Sequence, residues 1–178
     1  MWITPSDFQA FSDERYIGDS ERKITLKGLE SCSSKLLPIG TVLMTSRASI
    51  GEAKIAKCQL CTNQGFVSFV CESISNRFLA YAIDAYLGAY FNAVAPGTTF
   101  NEIGRTAVKN EYFSFPDIVT QEEISDYLDT LCEKIKQLSI NLNDQIEILL
   151  NYRKSLIHEC VTGKRRINDQ DLKERLNV

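Results

Sequence analysis

The sequence predicts an α+β fold: a mixed domain of short strands and short helices, followed by one long C-terminal helix of coiled-coil type. Three observations carry this. Ile124, Leu128, Leu131, Ile135, Leu138, Leu142, Gln145, Leu149, Tyr152 and Leu156 follow one another in alternating steps of four and three, the 3.5-residue repeat of a coiled coil. Residues 1–120 show no such repeat and instead hold short apolar runs broken by Pro, Gly and polar turns. At 178 residues the chain has room for one domain of ordinary size beside the helix.

Residues 2–8 read as a short strand or turn that runs into a Pro5-Ser6-Asp7 helix start. Residues 14–23 are polar and loop-like. Thr25 can cap a short helix over 24–31, with Leu26 and Leu29 on one face. Pro38-Ile39-Gly40 is a turn into a buried strand that ends at Thr45. Residues 46–51 turn into a second strand over 52–57, and 66–71 form a third, with Phe66, Val67, Phe69 and Val70 as its apolar content. Residues 76–94 have helical spacing, with Phe78, Leu79, Ala82, Ile83, Tyr86, Leu87, Tyr90 and Phe91 near one face. That aromatic stripe suits a core; a base-stacking platform is the other reading. Pro96-Gly97 breaks the chain, and a short helical segment over 102–108 and a strand over 111–115 follow.

The long helix is well delimited. Pro116 ends what precedes it, and Thr120 with Glu123 fits a capping box. Gly163 is a C-terminal stop, followed by Lys164, Arg165 and Arg166. A helix from Gln121 to about Val161 is roughly 60 Å long, longer than a small domain is wide. Much of it must therefore meet a partner helix. Ile146, Leu150 and Ile157 widen the apolar face in its later turns. Gln145, polar within the seam, either fixes register or is merely tolerated.

Composition narrows the classes of function. The chain is 44% apolar and 24% charged, with net charge −3, the balance of a soluble globular protein. No apolar run approaches the ~20 residues that span a bilayer, and residues 1–19 lack the basic-then-apolar order of a secretion signal. A cytoplasmic protein with no membrane partner is expected. Residues 1–120 carry 11 basic and 12 acidic side chains, and residues 121–178 carry 9 and 11. This balance argues against a strongly electrostatic DNA binder but leaves room for a local basic face. Basic residues thicken over Arg22, Lys23, Lys27, Lys35, Arg47, Lys54 and Lys57; a nucleic-acid surface and a solvated face both fit that run.

The six cysteines include one CxxC, Cys58 and Cys61. Zinc would need two further ligands, and no second CxxC or CxxH supplies them. The single histidine, His158, sits on the long helix, so Ser–His and Cys–His catalysis have little support. No phosphate-binding GxxxxGK loop, GxGxxG fingerprint or HExxH pair occurs. A non-catalytic binding and assembly protein, holding no metal, is expected.

Polar turn clusters remain: Ser46-Arg47-Ala48-Ser49-Ile50-Gly51, Asn63-Gln64-Gly65-Phe66 and Gly97-Thr98-Thr99-Phe100. Individually they are turn chemistry. They stand in order with Trp2-Ile3-Thr4-Pro5-Ser6-Asp7, Leu37-Pro38-Ile39-Gly40-Thr41-Val42-Leu43 and the Phe115-Pro116 exit. The tail Leu149-Leu150-Asn151-Tyr152-Arg153-Lys154-Ser155-Leu156-Ile157, closing with Val161-Thr162-Gly163-Lys164, completes the series. In this order the motifs resemble a target-recognition domain of the DNA-specificity (S) subunits of type I restriction–modification systems. The likeness runs to about Arg166; each motif is weak alone, and the ordered series is what is specific.

The resemblance implies a subunit without catalysis. Family members pair two target-recognition domains with two long helices packed as an antiparallel spacer. Each domain reads half of a split site in double-stranded DNA, and the helices set the distance between halves. The subunit docks modification subunits, which methylate adenine with S-adenosylmethionine, and restriction subunits, which use ATP; neither cofactor would be bound by this chain. On this pattern residues 1–119 are the DNA-reading domain, 120–163 the spacer and dimerisation helix, and 164–178 a polar tail.

With one domain and one helix, the chain looks like half a specificity subunit. A second copy, or another specificity half, would complete it, and two-fold pairing would make the site symmetric. Family domains usually carry a couple of dozen residues before the Trp2-Ile3 stretch, and this sequence starts without them. A truncated interaction fragment or silent recombination cassette product, binding partner subunits without reading DNA, is therefore the alternative expectation. The recurring motifs are expected to hold the fold and the loop over 13–25 to vary with the target. Candidate DNA contacts are Arg22, Lys23, Lys27 and Arg47, with Thr99 and Asn101 beside the Pro96-Gly97 turn; Arg can grip guanine bidentately. The partner-helix candidates are Ile124, Leu128, Leu131, Ile135, Leu138, Leu142, Leu149 and Leu156. The expected setting is a bacterial or archaeal cytoplasm.

Overall fold

The computed structural model describes residues 1–11, 14–47, 49–96 and 101–168. Asp13, Ala48, the Gly97-Thr98-Thr99-Phe100 turn and the end of the polar tail thus lie outside the described residues. The architecture is α+β with a long C-terminal helix, and the chain divides into two compact units, Met1–Tyr127 and Leu128–Val178.

In the first unit, strands β2 (Tyr16–Ile17), β3 (Val42–Thr45), β4 (Ala53–Ala56) and β6 (Phe66–Phe69) form a sheet of order β2-β4-β3-β6. Strand β3 runs antiparallel to β4 and β6, and β2 runs parallel to β4. Strands β1 (Trp2–Ile3) and β5 (Cys61–Thr62) pair separately, in parallel. Both central strands are buried along their whole length. Their alternate side chains enter two cores, which is why they read as unbroken apolar runs rather than an alternating pattern.

Val42, Met44, Ala53 and Ile55 pack with Val67 under a helical layer that supplies Leu79, Ile83, Leu87 and Phe91. On the opposite face Leu43 and Ala56 meet Ile3, Phe8, Ile17, Leu60 and Phe66. Phe8 comes from α1 (Pro5–Ala10), where Asp7 reaches back to the Thr4 N–H at 2.7 Å and accepts the Thr4 hydroxyl at 2.7 Å. Thr25 caps the short α2 (Leu26–Glu30) by accepting the Gly28 N–H at 3.1 Å.

The helical layer is α3 (Asn76–Ala82), a π-helical turn over Ile83–Leu87, and α4 (Gly88–Val94). Its buried face is core, and Phe91 packs edge-on against Phe113 at 5.8 Å. Tyr86 and Tyr90 lie at its exposed margin. Gly51 lies against this layer so closely that only glycine fits: it has φ 100°, and a Cβ there would lie 2.3 Å from the Gly88 Cα.

Several local expectations differ from the structure. Residues 14–23 are not wholly loop, since β2 adds an edge to the sheet; two residues are too few to show a period in sequence. Residues 111–115 form no strand. Phe113 and Phe115, two residues apart, instead stack on each other and anchor edge-on to Tyr90, Phe91 and Phe78, so side-chain packing replaces a strand ladder. The short helix expected over 102–108 is α5 (Arg105–Lys109).

The long helix α6 (Ile118–Val161) has 44 residues, about 66 Å at about 1.5 Å per residue. It begins three residues before Gln121 because Asp117, not Thr120, caps it. The Asp117 carboxylate accepts the N–H groups of Val119 and Thr120 at 3.0 and 3.1 Å and the Thr120 hydroxyl at 2.8 Å. Those bonds, the Thr120 N–H foremost, hold its pKa below the ordinary value. Gly163, at φ 76°, closes the far end as expected, its N–H 3.3 Å from the Cys160 carbonyl. The second unit consists of this helix beyond Tyr127 and the residues after it.

Candidate nucleic-acid interface and partner helix

The first unit carries a polar groove of about 760 Å³. Three stretches far apart in sequence wall it: residues 32–37, the β5–β6 corner over 62–68, and residues 102–105, with Trp2 and Ser46 contributing. Local bonds fix these walls. The Ser34 hydroxyl donates to the Thr62 carbonyl at 2.9 Å, and the Ile103 N–H to the Ser46 carbonyl at 3.0 Å. Asn63 makes a side-chain turn, accepting the Gly65 N–H at 2.9 Å, as its local sequence predicts. Glu102 lines the groove, but the Arg47 guanidinium 2.7 Å away meets its charge. Lys35, Gln64 and Arg105 line the groove, are exposed, and are tied by no hydrogen bond or ion pair among the described residues.

The basic residues singled out by sequence divide among several surroundings. Arg22 pairs through its backbone with Trp2: the Trp2 N–H reaches the Arg22 carbonyl at 3.0 Å, and the Ser20 hydroxyl donates to the same oxygen. Its side chain is exposed. Lys23 is exposed and 3.5 Å from Asp19; Lys27 is exposed on α2. Arg47 faces Glu102 and is paired with it through the backbone as well. Asn101 reaches Asn92 on α4 at 3.5 Å. Thr99 lies outside the described residues.

Lys54, part of the same basic run in sequence, is not a surface charge. It is buried, and its ammonium donates to the carbonyls of Phe11 and Glu14. Burial pushes its pKa down, with Asp84 and Glu52 pulling the other way. Arg15, which sequence reasoning passed over, sits 3.7 Å over the Tyr81 ring and pairs with Asp84 at 2.9 Å. Burial raises the Asp84 pKa against the pull of Arg15.

The loop over 14–25 is tied down more than its polarity suggests. Buried Asp7 accepts the Glu21 N–H at 3.0 Å. Burial resists ionisation of Asp7, but the bonds from Glu21 and Thr4, with Arg22 nearby, outweigh it and hold the carboxyl below its ordinary value. Cys61 and Cys71 are pushed up by burial, which keeps them as thiols. No group of three metal-ligating side chains gathers among the described residues.

The first turns of α6 join the domain through polar contacts. Gln121 and Ser125 are its buried residues. The Gln121 carbonyl oxygen of the side chain accepts the Ser75 N–H at 2.9 Å, while its amide donates to the Pro116 carbonyl at 2.8 Å. Arg77 bridges Glu122 and Asp126. Ile124, the first seam residue, is not among these contacts and is 37% exposed. In the second unit Leu131, Ile135, Leu138, Leu142, Leu149 and Tyr152 are all exposed, while Leu128 and Leu156 are half-buried. The apolar seam is therefore largely uncovered in the single chain.

Comparison with known proteins follows the same lines. Residues 1–148 match the family model described as the type I restriction modification DNA specificity domain. The chain is 34% identical over 157 residues to the type I restriction enzyme MjaIX specificity subunit of Methanocaldococcus jannaschii, covering 85% of this chain and 36% of that protein. It is 25% identical over 100 residues to the EcoBI specificity subunit of Escherichia coli, covering 56% and 21%. A chain from a structure concerned with complex assembly and conformational transition of the type I R-M system has a TM-score of 0.60 at 22% identity. That likeness of fold covers 70% of this chain and 31% of the other. The chain spans 36% and 21% of the lengths of the two curated relatives.

Proposed function

Since the chain belongs to the type I restriction–modification DNA specificity family, we propose that it reads one half of a bipartite DNA site for a type I complex and has no catalysis of its own. Residues 1–119 are the reading domain, residues 120–163 the spacer and dimerisation helix, and residues 164–178 a polar tail. The observation that carries this reading is the family match over residues 1–148, which takes in the domain and most of α6. The uncovered seam supports pairing with a second copy or another specificity half, since an apolar stripe of this length is costly to leave in water. The modification and restriction subunits are its protein partners. S-adenosylmethionine and ATP belong to those partners, and the work is done in the cytoplasm.

Exchange of residues 1–117 with those of a second family member, in complex with a modification subunit, tests the reading. The methylated half-sequence should follow the exchanged domain. Half-sequences that follow the helix instead would refute the assignment. Unchanged docking with loss of all methylation would leave a fragment that binds partner subunits without reading DNA.

A further inference from the structure

We propose that the open edge of β6 is a docking site for an extended, acidic segment of another polypeptide, which adds to the sheet as a strand along the polar groove. The proposal stands apart from the DNA reading above and does not depend on it. In the ladder between β3 and β6 the Ser46 N–H reaches the Gly65 carbonyl at 2.8 Å, while Met44 lies opposite Val67 and Val42 opposite Phe69. Along an antiparallel strand, main-chain groups turn alternately toward and away from the neighbour. Gly65, Val67 and Phe69 thus face β3, and Phe66 and Ser68 turn their N–H and carbonyl groups away from the sheet. Among the described residues no hydrogen bond meets these outward groups. Natural edge strands are kept from pairing by charge, proline or a cover. The Phe66-Val67-Ser68-Phe69-Val70 run has neither a charge nor a proline. The opposite edge, β2, is only two residues long and offers less of a ladder.

The edge opens into the groove, which Phe66, Val67 and Ser68 line together with residues 32–37 and 102–105. Charge on the lining selects the occupant. Glu102 is met by Arg47, so Lys35 and Arg105, exposed and without a partner among the described residues, leave a cationic excess. An extended chain satisfies the outward groups of Phe66 and Ser68, and acidic side chains on it meet the two cations. In strand addition of this kind main-chain pairing supplies affinity and side-chain contacts supply selectivity. A duplex brings negative charge as phosphates, but no alternating donors and acceptors at strand spacing. The walls are already held by Ser34 on Thr62 and Ile103 on Ser46, so little ordering remains to be done on binding.

Hydrogen exchange of the full-length chain, followed by NMR, reads the edge directly. In the free chain the Phe66 and Ser68 amides should exchange at least about tenfold faster than those of Val67 and Phe69. Random short peptides displayed on phage and selected on the same chain should converge on acidic, alternating sequences. An enriched peptide should then protect the Phe66 and Ser68 amides. Ser68→Pro removes an N–H that the ladder does not use and should weaken that peptide roughly tenfold or more. Lys35→Glu/Arg105→Glu changes two exposed side chains; it should weaken the peptide as well and turn a fresh selection toward basic sequences. Circular dichroism shows whether each variant folds, and if Ser68→Pro does not, the charge-reversed variant and the exchange pattern decide. Slow exchange of both amides in the free chain, no enriched peptide, or a bound peptide that leaves both amides unprotected would each overturn the proposal. A duplex of mixed sequence that protects these amides where no peptide does would overturn it in favour of nucleic acid.

Discussion

Leu131→Asp with Leu138→Asp should abolish self-association through α6. In the single chain Leu131 is 41% and Leu138 61% exposed. Burying a whole leucine side chain is worth about 1.5–3 kcal/mol, so covering the exposed parts contributes about 1 and about 1.5 kcal/mol. A two-fold pairing counts each residue twice, giving roughly 5 kcal/mol per dimer. At about 1.4 kcal/mol per factor of ten, that alone weakens the dissociation constant roughly 3,000-fold. Aspartate adds the cost of an unpaired carboxylate in an apolar seam, so the full effect is larger. Sedimentation velocity at micromolar concentration reads it: the wild type should run as a dimer and the double variant as a monomer. An unchanged sedimentation coefficient in the double variant would show that the seam is not the interface.

Other perturbations test the domain. Gly51→Ala places a Cβ 2.3 Å from the Gly88 Cα in a backbone of φ 100°; a loss of roughly 3–5 kcal/mol in urea unfolding is expected. Asp7→Asn should cost about 2 kcal/mol at neutral pH, by removing an ionised acceptor of three bonds. The Asp7 folded-state pKa lies below its ordinary 3.8, so its contribution is complete above the unfolded value and is lost as pH falls through the folded one. The gap between wild type and Asp7→Asn in melts should therefore close below about pH 4. Arg77→Ala breaks a half-exposed bridge to Glu122 and Asp126; a loss of about 1 kcal/mol or less, shrinking with added salt, is expected in the same melts.

The parts of the fold legible in sequence are those with a period or a long apolar run. Ten seam positions in unbroken register announce α6, and the runs at 42–45, 53–56 and 66–69 announce β3, β4 and β6. Strands β2 and β5 escape because two residues carry no period. The 111–115 segment reads as a strand because Phe113 and Phe115 alternate, yet the same spacing serves their packing against Tyr90 and Phe91. Lys54 reads as a surface cation because sequence cannot show that the carbonyls of Phe11 and Glu14 close over it. The groove was invisible for a topological reason: Lys35, Gln64 and Arg105 are brought together by three separate stretches, and none carries a motif that points to the others.

The central claim is that this chain chooses which DNA sequence a type I complex modifies. Co-expression with a cognate modification subunit, followed by mapping of methylated adenines across the host genome, tests it most directly. A new split motif whose two halves are related by two-fold symmetry is the predicted result. No new methylation, with the modification subunit still co-purifying with the chain, would contradict it.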